Sequence, residues 1–265
     1  MKKTTLFIAG FSLLFTSLSF AQESSDDDCD CDKNRAPYDF LDIFDSSRRD
    51  KQDVMTQTEF LLNFGFNQAL GDGNGIGDDY RFWGSGYFDV GLEFSTKLSK
   101  AENTPRLTYG LSLRYSTLRI SGDDREFATF DNVTDLVPLG FEADRSSFQQ
   151  IGLHVPLHLE FGKREVQEYD DGIKRFGEGN NFVFGIGGYL GLTTRSIQRL
   201  EFEREGRDIT TTVEDDFEIN NFNYGLSAYA GYEDLQLYFS YGLNNILKDS
   251  PLEQNYVTLG IRLRG

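Results

Sequence analysis

From residue 60 onward the chain repeatedly alternates apolar and polar residues with a period of two, the period of a β-strand whose side chains point to opposite faces. Phe60, Leu62, Phe64 and Phe66 alternate with Glu59, Asn63, Gly65 and Asn67. The same rhythm returns at Phe88 to Phe94, Leu107 to Tyr115, Ile151 to Phe161, Phe182 to Leu192, Phe222 to Tyr232, Leu235 to Tyr241 and Val257 to Leu263. Each of these eight segments has one wholly apolar face. The other face carries glycine, hydroxyl, amide and charge. A run of ~10 residues at ~3.3 Å each, tilted by ~40°, stands about 25 Å tall, the height of an outer-membrane hydrocarbon band. Alternation alone also fits a soluble all-β sandwich, whose core would be the apolar face. The even count, the strand length and tyrosines near the strand ends point to an eight-stranded antiparallel transmembrane β-barrel instead.

The connections support that choice. Reading from the first strand, long links at 68–84, 120–146, 194–221 and 244–254 alternate with short ones, as expected when one set faces outside and the other the periplasm. The link Lys163 to Asn181 is long on the short side and breaks the pattern. Both termini then belong in the periplasm.

The first 21 residues read as an export signal. A basic Met1-Lys2-Lys3 start precedes the apolar run Leu6 to Phe20, and Ser19-Phe20-Ala21 offers small residues where a signal peptidase cuts. The expected organisation is residues 1–21 as signal, 22–56 as an acidic periplasmic tail, and 57–265 as the barrel. With 43 acidic against 26 basic side chains the formal charge is -17, which excludes nucleic acid as a partner because its phosphates would be repelled. A mean hydropathy of -0.45 excludes a helical membrane bundle.

By strand parity the barrel interior holds Glu59, Asp89, Glu93, Lys97, Arg114, Glu160 and Arg262, with His154, His158, Tyr189, Tyr229 and Tyr238. An eight-stranded barrel is narrow enough for side chains to fill. Buried charges need partners, so Glu59, Asp89, Glu93, Arg114, Glu160 and Arg262 are expected to form a salt-bridged lumen network, with an ion or proton path as the sharper alternative. His154 and His158 share a strand face ~13 Å apart, too far to hold one zinc. No cofactor, metal or catalytic triad is read from the chain. The stretch Gly71 to Asp79 looks like a calcium loop but puts Ile76 at a ligand position and Trp83 where the bidentate acid belongs. Beside it, Arg81, Trp83 and Tyr87 read as an interfacial anchor in lipid headgroups, and Arg195 to Ile219 as two strands prolonged into an exposed hairpin.

The tail has two features. Asp28-Cys29-Asp30-Cys31-Asp32 sets two thiols two residues apart, suited to an intermolecular disulfide or a metal, or simply part of an acidic linker. Tyr38, Leu41 and Phe44, with Phe40 and Ile43 beside them, fall at helical spacing and offer a docking patch, either for the barrel's own inner mouth or for another outer-membrane or periplasmic protein.

Leu153-His-Val-Pro-Leu-His-Leu-Glu-Phe161, Gly185-Ile-Gly-Gly-Tyr-Leu-Gly191, Asn223 to Tyr232 and Leu235 to Leu247 (LQLYFSYGLNNIL) together resemble strands four to seven of the PorT-like outer-membrane β-barrels of Bacteroidota, a porin-like group of small barrels. The resemblance implies an eight-stranded outer-membrane barrel over residues 57–265, carried by scaffold motifs without catalytic residues. Some members of that family serve type IX protein secretion and gliding. The function expected is a non-enzymatic scaffold or accessory subunit of an outer-membrane secretion or assembly complex. The alternatives are a small-solute or ion conduit and a lipid-modifying enzyme.

Overall fold

The computed structural model describes residues 56–71, 78–99, 104–122, 124–162, 166–168, 174–176, 181–232 and 234–265. The signal, the tail with Cys29, Cys31 and Tyr38 to Phe44, and most of the calcium-like loop lie outside the described residues. In chain order the strands are β1 Thr56–Gly71, β2 Tyr80–Lys97, β3 Arg106–Ile120, β4 Arg125–Phe130, β5 Val133–Pro138, β6 Arg145–Gly162, β7 Val166–Glu168, β8 Lys174–Phe176, β9 Phe182–Arg204, β10 Arg207–Glu214, β11 Phe222–Tyr232, β12 Leu235–Gly242 and β13 Gln254–Arg264.

Eight of these close on themselves. The order β1-β2-β3-β6-β9-β11-β12-β13 is an antiparallel meander, and β13 pairs back onto β1. At the seam the Gly265 amide donates to the Phe60 carbonyl at 3.1 Å and the Phe60 amide to the Gly265 carbonyl at 2.6 Å. All eight period-two segments lie within these strands. The protein is therefore an all-β, eight-stranded antiparallel barrel. The remaining strands are appendages: β4 pairs with β5, β7 with β8, and β10, among the described residues, with the far half of β9 alone. The β7–β8 ladder lies in the link that broke the long-and-short rule, which thus contains a hairpin of its own.

The polarity of the barrel is inverted relative to a water-soluble protein. Leu111, Leu113, Ile186, Leu226, Leu237 and Leu259 on the outer face are each more than half exposed. Inward neighbours such as Asn63, Asp89, Glu93, Thr108 and Arg262 are buried. In the sandwich alternative the apolar face would be inside, so the strand pairing rejects it. A continuous apolar girdle of this extent is far beyond what a soluble monomer exposes and matches the lipid-facing band of a transmembrane barrel. No helix of the described residues is long and apolar enough to cross a membrane.

Above this band the inside changes character. The inward parity of β3 runs through Ser112, Arg114 and Ser116 and then continues as Leu118 and Ile120. These two pack with Ala69, Tyr80 and Phe148 of the strands, and with Phe127, Phe217, Ile219, Ile246 and Leu247 from the connections, into one buried apolar cluster. The loop end of the barrel is thus capped by a small hydrophobic core.

Candidate functional site

The lumen is organised in layers. Nearest the termini, five charged side chains from four strands meet: Glu59 on β1, Glu93 on β2, Glu160 on β6, and Arg262 and Arg264 on β13. Arg264 Nε lies 2.8 Å from Glu59 Oε2, and its Nη1 is 3.1 Å from Glu93 Oε1 and 2.7 Å from Glu160 Oε2. Arg262 pairs with the same Glu93 oxygen. Tyr229 Oη donates to Glu160 Oε2 at 2.8 Å, and the Arg262 guanidinium lies over the Tyr229 ring, 4.0 Å from its centroid. All five side chains are buried. Each carboxylate left unpaired there would cost several kcal/mol, on the order of the desolvation of a buried ion. Beside it, buried Arg106 donates through Nε to Ser95 Oγ at 2.8 Å.

The second layer is one fork-to-fork pair. Arg114 Nε and Nη2 donate to Asp89 Oδ1 and Oδ2 at 2.7 and 2.6 Å, a bidentate geometry that fixes both side chains. The guanidinium is flanked by the rings of Tyr87 and Tyr189, with centroids at 5.2 and 5.7 Å. Strand parity placed Asp89 and Arg114 on the same inward face as the first layer, and the structure separates them from it as a distinct pair. Lys97 is half-buried on β2 opposite Arg106.

The two histidines line the wall between these layers. His154 stacks on Tyr189 at 4.9 Å and 27°, and His158 Nε2 is 2.8 Å from Ser227 Oγ with the Tyr229 ring edge-on at 5.0 Å. No group of three His, Cys, Asp or Glu side chains among the described residues is placed to hold a metal. Asn67, Arg114, His154 and Tyr256 line a cavity of about 50 Å³ under the cap, room for roughly three water-sized molecules. Glycines make the lumen fit its rings: a Cβ on Gly185 would lie 2.3 Å from Tyr229 Cζ, so the ring seats on a bare backbone.

The cap closes the far end. Phe148 packs against Phe127 at 4.8 Å and against Phe217 edge-on at 5.4 Å. Polar contacts hold the loops over the strands. Tyr80 Oη donates to Gln254 Oε1 at 2.7 Å, Gln254 Nε2 to Asp79 Oδ2 at 2.9 Å, and Arg125 Nη1 to Asp79 Oδ1 at 3.1 Å. Gln198 on β9 accepts the Phe127 amide at 2.9 Å.

One sequence expectation needs correction, and two features escaped the sequence. Tyr87 does not join an interfacial anchor: it follows the inward parity of Asp89 and is buried in the lumen at 4 % exposure. The outer aromatic group is instead Trp83, 75 % exposed, with Phe82 and Phe66, whose rings stack at 4.2 Å. Arg264, the hub of the first layer, was missed although the parity that selected Arg262 extends to it two residues later. The cap was missed because its apolar residues come from all four long connections and the strand ends beside them, with no common period.

No family model matches the chain, and no curated protein matches it. Among solved structures it is similar to Ail, the attachment invasion locus protein of Yersinia pestis, in complex with the heparin analogue sucrose octasulfate, at 11% identity and a TM-score of 0.29, over 78% of this chain and 97% of that one. It is also similar to a mutant of the Rh. blastica porin, at 10% identity and a TM-score of 0.17, over 80% of this chain and 100% of that one. With scores this low, the fold assignment stands on the barrel's own strand pairing.

Proposed function

We propose that this chain is an outer-membrane β-barrel that conducts nothing and works as a scaffold for partners. The observation that carries the reading is the double closure of the lumen. The Glu59, Glu93, Glu160, Arg262 and Arg264 cluster fills it near the termini, and the Phe127, Phe148 and Phe217 core covers the opposite mouth. A solute would have to break buried ion pairs and then an apolar core, at a cost that no binding contact in so narrow a barrel offsets. The loop-bearing end faces outward and the termini face the periplasm in this reading, because an outer-membrane barrel keeps its short turns on the periplasmic side.

An enzyme is disfavoured by the same closure. The His158–Ser227 contact is buried, and among the described residues no carboxylate meets the second ring nitrogen, where a nucleophilic triad needs one. The resemblance to PorT-like barrels narrows the scaffold to an accessory subunit of a secretion or assembly complex. Two measurements test the reading. Reconstituted in a planar bilayer, the full chain should pass no steady current. Extracted in mild detergent from its native membrane, it should bring a stoichiometric protein partner. Steady conductance would overturn the scaffold in favour of a conduit, and a clean monomer would overturn the accessory-subunit role.

A further inference from the structure

β10 is an open sheet edge. It ends the strand order, pairs on one side with β9, and has no strand on its other side among the described residues. The β9–β10 hairpin turns through two residues, Glu205 and Gly206, both with positive φ of 54° and 72°. Such a tight turn makes its flanking residues a hydrogen-bonded pair, here Arg204 with Arg207, and bonded pairs then recur at every second position. Ile209, Thr211 and Val213 therefore spend their amides and carbonyls on β9. Asp208, Thr210, Thr212 and Glu214 direct theirs outward, to the open side. Natural edges are usually defended by proline, lysine or a bulge. β10 has no proline, lysine or bulge and keeps its charges, Arg207, Asp208 and Glu214, to its two ends, so that Ile209-Thr210-Thr211-Thr212-Val213 between them is an unbroken run of β-branched residues.

The edge also has a charge signature. Residues 195–218 hold eight acidic and four basic side chains. Asp208 sits directly across from Glu203, a like-charge pair that a cation would relieve. Glu214 is gripped by Arg195 through Nε at 2.7 Å, but Asp215 and Asp216 follow it immediately. Negative charge thus marks both ends of the outward-directed stretch, six residues apart, with two threonines between.

We propose that β10 is a docking edge that accepts an extended, cationic protein segment as an added strand. Its chemistry is defined: basic residues at positions i and i+6, facing Asp208 at one end and Glu214 with its acidic neighbours at the other, and β-branched residues between. Main-chain bonds supply affinity and the two charged ends supply register. The inference rests on the scaffold reading and gives it a surface and a partner chemistry.

The test uses the full chain in lipid nanodiscs and a capped, fluorescent nine-residue peptide of Thr and Val with Arg at the second and eighth positions. Anisotropy should report saturable binding tighter than about 1 mM. The variant Thr210→Pro/Thr212→Pro removes two outward amides without touching the ladder to β9, and should weaken binding by ~10-fold or more. Asp208→Lys alters no backbone group; it should weaken the Arg peptide and strengthen one with Glu at the same two positions. Equal binding by wild type and both variants would overturn the proposal, as would no binding by wild type. Either failure leaves the conductance and co-purification results untouched, so the scaffold reading stands or falls separately.

Discussion

Arg264 on the last strand reaches across the lumen to Glu160 on β6, with 2.7 Å between Nη1 and Oε2. β13 and β6 are not neighbours in the barrel, so this contact spans the interior rather than following the ladder. The same guanidinium holds Glu59 and approaches Glu93, which ties the closing strand to β1, β2 and β6 at once. A chain whose final strand is misregistered by one residue would turn Arg262 and Arg264 toward lipid and leave three carboxylates buried. The network therefore specifies closure as well as filling the lumen.

Arg264→Ala should lower the stability of the barrel by about 3–5 kcal/mol, because it leaves carboxylates buried without their cation. Urea unfolding of the detergent-solubilised barrel measures this. An unchanged midpoint would show that the interior is wet enough to screen the loss.

Phe148 is 1 % exposed between Phe127 and Phe217. Phe148→Ala should cost about 3–5 kcal/mol, the transfer and cavity terms of a lost core ring. The loss should appear as faster proteolysis of the loops before the barrel itself opens. Loops cleaved at the wild-type rate would mean that the cap does not depend on this packing.

Gly185→Ala pushes a methyl into the Tyr229 ring, which lies 2.3 Å from the ideal Cβ position. Overpacking of this kind costs about 1–3 kcal/mol. Tyr229→Ser in the same chain should recover part of that loss, and Tyr229→Phe should not, because it keeps the ring. A double-mutant cycle without coupling would contradict the seating of the ring on the glycine.

The carboxyl of Glu214, on the exposed hairpin, is held below the ordinary 4.5 by its hydrogen bond from Arg195 and by the charge of that guanidinium. A depressed folded-state value stabilises the fold above pH 4.5, and this contribution disappears as pH falls through the lower folded value. A carboxyl NMR titration should find the midpoint below 4.5, and Arg195→Gln should raise it. A normal midpoint in the wild type would mean that the pair does not persist in solution.

Much of the fold was legible one residue at a time. Strand parity is local: Phe64 and Asn63 point to opposite faces whatever surrounds them, and repetition eight times makes eight strands. The same parity marks Glu59, Asp89 and Glu160 as sharing the polar side. Tyr87 was misassigned because an aromatic beside Trp83 was read by residue type, against the parity that also carries Asp89.

What sequence alone determined is this alternation, since a period of two is a property of the backbone. Which face is inside was decided only by closure of β13 onto β1, because the hydrogen bonds of a ladder are indifferent to the polarity of either side. Tertiary structure likewise decided that Arg264 meets Glu160, 104 positions away, and that Leu118, Phe148, Phe217 and Leu247 share one core. Contacts between distant strands and loops depend on how far the sheet has curled, and no local spacing along the chain encodes that distance.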